Sequence, residues 1–182
     1  LFARSVGLSY DASAVYDWVN GRPTVLVRSA DLPEWRGDGV KPDPAHWATL
    51  RSFRGHPAMV LRDAELTTAV PLELGGVMLV TAVYCDGDEA ITAHLDTLPA
   101  GGWETGRERF VSDGTEYSLF DGSLSGAQLG DPSLRRVIDE QHGGVIPVQL
   151  PAGHYDVETL GPFRPDARTE LWLTRLVRAA PS

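Results

Sequence analysis

The sequence predicts a mostly β fold of the α+β kind: a sandwich, or two packed β half-units, with two or three short helices. Three observations predict it. Short apolar runs of strand length recur along the 182 residues, separated by turn-forming residues. One of them, Val77 to Tyr84, is apolar on both alternating faces except at Thr81, as in a central strand buried on both sides. Another, His154 to Thr159, alternates cleanly. Tyr155, Val157 and Thr159 fall on one face, and His154, Asp156 and Glu158 on the other.

The elements follow in order. Residues 1–17 show weak periodicity and read as a loop or short helix. Val25-Leu26-Val27 reads as a strand launched from Gly21-Arg22-Pro23, and Ser29 to Asp38 is rich in turn residues around Trp35. Residues 37–44 are a loop by composition. Asp43 as cap and Pro44 at the first helical position predict one or two helical turns over Ala45 to Leu50. Ala58 to Leu61 is a short strand. Glu89 to Leu98 reads as an amphipathic helix lying across the sheet, with acids in its first turn at the positive end of the helix dipole. Trp103 to Val111 and Glu116 to Phe120 read as strands joined by a Ser112-Asp113-Gly114-Thr115 hairpin turn. Asp131 to Gln141 resembles a helix capped by Asp131 with Pro132 first, and Val145 to Leu150 and Glu170 to Val177 are strands.

These elements form one domain over residues 18–178, with a tail at 179–182. An internal echo divides it into half-units 18–112 and 113–178. Val60-Leu61-Arg62-Asp63 resembles Leu119-Phe120-Asp121, and Gly76 opens one strand as Gly153 opens another. Whether the echo is chance or duplication stays open.

Composition is that of an ordinary globular chain, 42% hydrophobic and 23% charged. No apolar run reaches the length of a membrane span. Leu1 to Val6 form no continuous apolar stretch and Asp11 and Asp17 follow, so no signal peptide is expected. With Cys85 as the single cysteine, no intrachain disulfide or thiolate cluster can form, and a cytoplasmic location is expected. The net charge of −9 is concentrated: residues 63–106 hold eight acids and no Lys or Arg. Such a stretch is either a solvated face or a surface for a cationic partner. Nucleic acid is disfavoured, because phosphate contacts need a basic patch.

No catalytic signature appears. The five histidines, His46, His56, His94, His142 and His154, lack zinc-motif spacing and read as surface or loop residues. Gly122-Ser123-Leu124-Ser125-Gly126 has Leu at the centre of a would-be nucleophile elbow, so Asp121-Gly122-Ser123 reads as a strand end entering a turn. Asp86-Gly87-Asp88-Glu89 continues with Ala90, Ile91 and Thr97 where a calcium loop needs a ligand, Gly and Glu. Cys85 follows an apolar strand and reads as a buried or half-buried bystander. The tryptophans are scattered in sequence. Trp18, Trp103 and Trp172 read as core, whereas Trp35, between Glu34 and Arg36, is a candidate partner contact. No catalytic, cofactor-binding or metal-binding residue is predicted.

A set of features spread from Trp18 to Leu176 carries a resemblance. They are Trp18 with Gly21 and Pro23, Val25-Leu26-Val27, Trp35 with Gly37, and Val60-Leu61 with Asp63. Trp103, Leu119-Phe120-Asp121 and Leu150-Pro151-Ala152-Gly153-His154-Tyr155 with Val157 and Thr159 follow, then Asp166 and Leu171-Trp172-Leu173-Thr174-Arg175-Leu176. In order and spacing this set resembles immunity protein family 21 of bacterial polymorphic toxin systems. The resemblance implies a mostly β, non-enzymatic antidote that binds and neutralises a cognate toxin domain. An acidic surface suits a toxin such as a nuclease with a basic cleft. The expected contacts are Asp63, Glu65, Glu73, Asp86, Asp88, Glu89 and Trp35. The alternatives are a small hydrolase that reverses a toxin modification and a β domain that binds a ligand unrelated to toxins.

Overall fold

A computed structural model describes residues 2–5, 8–11, 17–37, 41–62 and 66–180. The fold is mostly β, as the sequence predicts: two antiparallel sheets packed face to face with short helices over their outer faces. The five-stranded sheet contains β4 (Thr24–Arg28), β5 (Ala48–Phe53), β6 (His56–Leu61), β10 (Glu116–Asp121) and β11 (Val145–Gln149), in the order β11-β10-β4-β6-β5. The six-stranded sheet contains β3 (Val19–Asn20), β7 (Leu66–Pro71), β8 (Gly76–Tyr84), β9 (Glu104–Ser112), β12 (Gly153–Asp166) and β13 (Thr169–Arg178), in the order β3-β7-β8-β13-β12-β9. Within the N-terminal stretch, expected as loop or short helix, the described residues instead form two paired antiparallel strands, β1 (Phe2–Ser5) and β2 (Leu8–Asp11).

The central core lies between the sheets. Leu26, Met59, Leu61, Tyr117 and Leu119 meet Val77, Leu79, Phe110, Tyr155 and Leu176 there. As expected, β8 is buried on both faces. Met78, Val80 and Ala82 point away from the central core and are covered by Ile91 and Leu95 of α1 (Asp88–Leu95), one helical turn apart. The polar exception, Thr81, shares a buried hydroxyl hydrogen bond of 3.0 Å with Thr67 directly across on β7. A third cluster fills the outer face of the five-stranded sheet, where Val25, Val27, Ala58, Val60 and Phe120 lie under Trp35. Each sheet thus has both faces covered over much of its area. Removing that apolar surface from water is the main stabilising contribution to such a layered fold.

The two stretches 18–112 and 113–178 interleave. Strands of both occur in each sheet, and β4 pairs with β10 and β8 with β13 at the sheet centres. The sequence echo links β6 to β10, which flank β4 on its two sides, and β8 to β12, which flank β13 on its two sides.

Three local expectations are corrected. Asp43 does cap a turn: its Oδ1 accepts from the Ala45 N–H at 2.9 Å, and its carbonyl accepts from the His46 N–H at 3.1 Å. The chain then extends into β5, because Arg54 and Gly55, both at positive φ, make a two-residue turn that folds β5 onto β6. Strands β9 and β10 do not form a hairpin, since the turn between them crosses from one sheet to the other. Phe110 and Tyr117 then meet edge to face across the core, with ring centroids 5.2 Å apart. Finally, Asp131 spends its Oδ1 on the backbone N–H and hydroxyl of Ser133, so α3 starts only at Arg135 and runs to His142. An additional short helix, α2 (Gly126–Leu129), is fixed by a capping box of Ser125 and Gln128.

Candidate functional site

Of the acidic residues expected at an interface, the described Glu73, Asp86 and Glu89 do not assemble into one patch. Glu73 lies in the turn before β8, whereas Asp86 and Glu89 lie beyond its far end. The strand rise separates those ends by roughly 25–30 Å. Asp86 already pairs with Arg168 at 3.2 Å. Glu89 is exposed, and Asp88 opens α1, but its side chain is outside what is described. Asp63 and Glu65 lie outside the described residues. Trp35, expected as an exposed contact, is 4% exposed. It packs edge to face on Phe53 and Phe120 and donates its indole N–H to the Gly122 carbonyl at 3.0 Å, so it is a core residue. Its polar neighbours Glu34 and Arg36 hid this, because the segment is a 3-10 turn (Ser29–Glu34) lying on the sheet.

Three of the five histidines are more engaged than isolated surface residues. His142 Nδ1 lies 2.6 Å from the buried Asp121 carboxylate, His94 Nε2 lies 3.0 Å from Asp166, and His46 Nδ1 lies 3.0 Å from Asp43. The Asp121 cluster is not a nucleophile relay. Ser123 gives both its hydroxyl and its N–H to the Asp121 carboxylate, at 2.8 and 2.9 Å, and not to the imidazole. These bonds close the turn after β10 and tie α3 to it. Among the described residues no group of three or more His, Cys, Asp or Glu is placed to hold a metal ion. Cys85 is half-buried beside the cluster under α1.

The feature that stands out is a groove of about 740 Å³ where the two sheets part, within the size range of ligand sites. One wall is the segment from Asp43 to Arg51, leading into and along β5, and the other is β9 from Glu104 to Glu108. Trp47 and Trp172 form the floor, stacked at 4.4 Å between centroids and 16° between planes. Two of the scattered tryptophans therefore meet in space, which no sequence spacing signals. Gly161 backs Trp172: a Cβ there would stand 2.4 Å from the indole Cε3. Trp47 is 8% exposed, and its indole N–H has no hydrogen-bond partner among the described residues.

The walls carry both signs of charge. On β9, Asp156 pairs with Arg109 but Glu158 with Thr105, so Gly106, Arg107 and Glu108 stand opposite Val157. This bulge re-aims side chains, and Glu104, Arg107 and Glu108 all border the groove with no partner among the described residues. On the opposite wall Arg62 donates to the Pro44 carbonyl, and Arg51 Nη1 donates to the Leu50 carbonyl at 3.2 Å. The Asp43 carboxyl is held below its ordinary range, chiefly by the Ala45 N–H and then by His46.

Hydrogen-bond alternation shows which backbone groups face the open side of β5. The two-residue turn makes Phe53 and His56 a bonded pair, and the Arg62 N–H donates to the Trp47 carbonyl at 2.8 Å. Bonded positions therefore run through Trp47, Thr49, Arg51 and Phe53. Ala48, Leu50 and Ser52 turn their N–H and C=O groups away from β6, toward the open edge. The resulting site can hold an extended or strand-like ligand over an apolar floor. Comparisons of the chain with family models, with curated proteins and with solved structures give no match.

Proposed function

We propose that this chain acts by binding another protein, as an immunity protein that neutralises a cognate toxin domain by occluding its active site. The observation that carries the reading is the groove between β5 and β9, a wide concavity with an aromatic floor and walls of both charge signs. Such walls suit a polypeptide, whose side chains bring both signs and whose backbone needs hydrogen-bond partners. The resemblance in the order of sequence features supports the toxin as the partner. The separation of Glu73 from Asp86 and Glu89 along β8 favours the groove over those three acids as the contact surface.

The test is co-expression with the product of the neighbouring gene. A stable complex, with rescue of cells from that product, is the expected result. Within the complex, reversing Glu104, Arg107 and Glu108 together weakens binding tenfold or more, while reversing Asp86 and Glu89 changes it less than twofold. The opposite ranking would place the contact on the acidic end of β8. Absence of both complex and rescue would reject the immunity reading.

A further inference from the structure

Each sheet has two edges, and every open edge is a template for another strand unless something blocks it. Of the four edges of the two packed sheets, three carry a block. β3 has only two residues. β9 is interrupted by the bulge at Gly106 to Glu108. β11 carries Pro147 at its centre. Following the bonded positions from β5 through β6, β4 and β10 makes Tyr117–Val148 and Leu119–Ile146 the bonded pairs of β10 and β11. Pro147 therefore faces outward, where its missing N–H removes a donor from the free edge. β5 has none of these devices. Its six residues pair with β6 without a register shift and contain neither Pro nor Gly.

We propose that β5 is the docking edge of this protein, and that an extended segment of the partner polypeptide adds to it as a sixth strand, lying in the groove. This rests on the reading that the chain works by binding a protein. Its backbone would pair with the outward groups of Ala48 and Leu50, and of Ser52 beyond them. Alternate side chains would descend onto the floor of Trp172 and Val157, so they are apolar. The intervening side chains lie beside Thr49 and Arg51 on the other face. Arg51 now occupies the Leu50 carbonyl, the group an incoming N–H would take. Once displaced, its guanidinium is free to pair with a carboxylate, so the segment carries an acid opposite Arg51.

The experiment pans a displayed library of random twelve-residue peptides against the purified protein, independently of any toxin. Peptides with alternating apolar residues and an acid between them are expected. Their affinity should fall at least tenfold for Ala48→Pro or Ser52→Pro, each of which removes an outward N–H while leaving the β5–β6 bonds in place. Arg51→Glu should remove the preference for the acid. Because a proline variant could also disturb the fold, amide hydrogen exchange of the unaltered protein provides a second readout. Bound peptide should slow exchange at Ala48, Leu50 and Ser52, and not at Val145 or Gln149 on β11. No enriched peptides, binding indifferent to both prolines, or unchanged exchange at those amides would overturn the proposal, even if the toxin complex forms. Self-association of the protein alone that is abolished by Ala48→Pro would also overturn it, by assigning the edge to a second copy.

Discussion

β5 and β11 close the same sheet on opposite sides, yet they are built to different ends. Both present three outward-facing residues, Ala48, Leu50 and Ser52 on one and Val145, Pro147 and Gln149 on the other. The central residue decides the character of each edge. Proline on β11 leaves a carbonyl with no adjacent donor, whereas Leu50 keeps both groups and has its carbonyl held by the neighbouring Arg51 side chain. A fixed block suits an edge that must never pair. A displaceable cover suits one that pairs conditionally. Beneath the strands, β5 also adjoins a groove with an aromatic floor.

The largest effects are expected at that floor. Trp47→Ala removes a side chain that is 8% exposed and the stacking partner of Trp172, and should cost about 3–5 kcal/mol in urea unfolding. Gly161→Ala is the next largest, because the added methyl group would meet the Trp172 ring at 2.4 Å. A loss of about 1–3 kcal/mol, the usual cost of overpacking, is expected. Near-neutral results for both would mean that the stack does not hold the β5 side in place, and the contrast between the two edges would reduce to Pro147 alone.

The sequence carried the layers better than the edges. Apolar residues on both faces of Val77 to Tyr84 required a cover on each, and the apolar positions of the helix that follows supplied one of them. Those patterns are local and depend on burial alone. The Asp43-Pro44 cap signature was also real, but a single turn satisfied it, and pairing with β6 then outweighed the helical preference of Ala45 to Leu50. Nothing in Ser112 to Thr115 distinguishes a turn that keeps two strands in one sheet from a turn that changes sheets. That choice is made by the distant partners β12, β4 and β11. The groove was invisible for the same reason: Trp47 and Trp172 are far apart in the chain and meet only when the two sheets pack. The run of acids was plain to see, but β8 carries its members to opposite ends.

A smaller effect is expected at the turn after β9, which closes the sandwich by carrying the chain into the other sheet. Asp113 Oδ1 accepts from the Thr115 N–H at 3.1 Å and from its hydroxyl at 2.5 Å, while Oδ2 accepts from Arg28 at 3.2 Å. The Thr115 hydroxyl and N–H are the main cause of its pKa being lowered to about 2, with Arg28 adding to them. A carboxylate whose pKa is lowered by folding stabilises the native state above its unfolded pKa of about 3.9. That contribution is lost as the pH falls through about 2. Asp113→Asn should flatten the pH dependence of stability between those limits, and Asp113→Ala should cost about 1 kcal/mol at neutral pH. Thermal unfolding across that range would show whether this corner is fastened independently of the open groove. An unchanged acid limb in Asp113→Asn would remove the carboxylate from that role.

The smallest expected change in stability belongs to the most direct test of the comparison. Pro147→Ala restores an N–H to the middle of β11, and Pro147 occupies a non-bonded position opposite Ser118, so no bond to β10 is altered. The added freedom of the unfolded chain should cost less than about 1 kcal/mol. The edge itself, however, becomes continuous in donors, as β5 is. If proline is what separates the two edges, this variant should gain strand pairing at β11, seen as concentration-dependent self-association in sedimentation or as slowed exchange at Val145 and Gln149 with added peptide. If β11 stays inert without its proline, backbone availability is not sufficient to make an edge pair. The groove and its Trp47–Trp172 floor would then be the feature that makes β5 receptive, and the search for partner contacts would move from the backbone of β5 to the side chains below it.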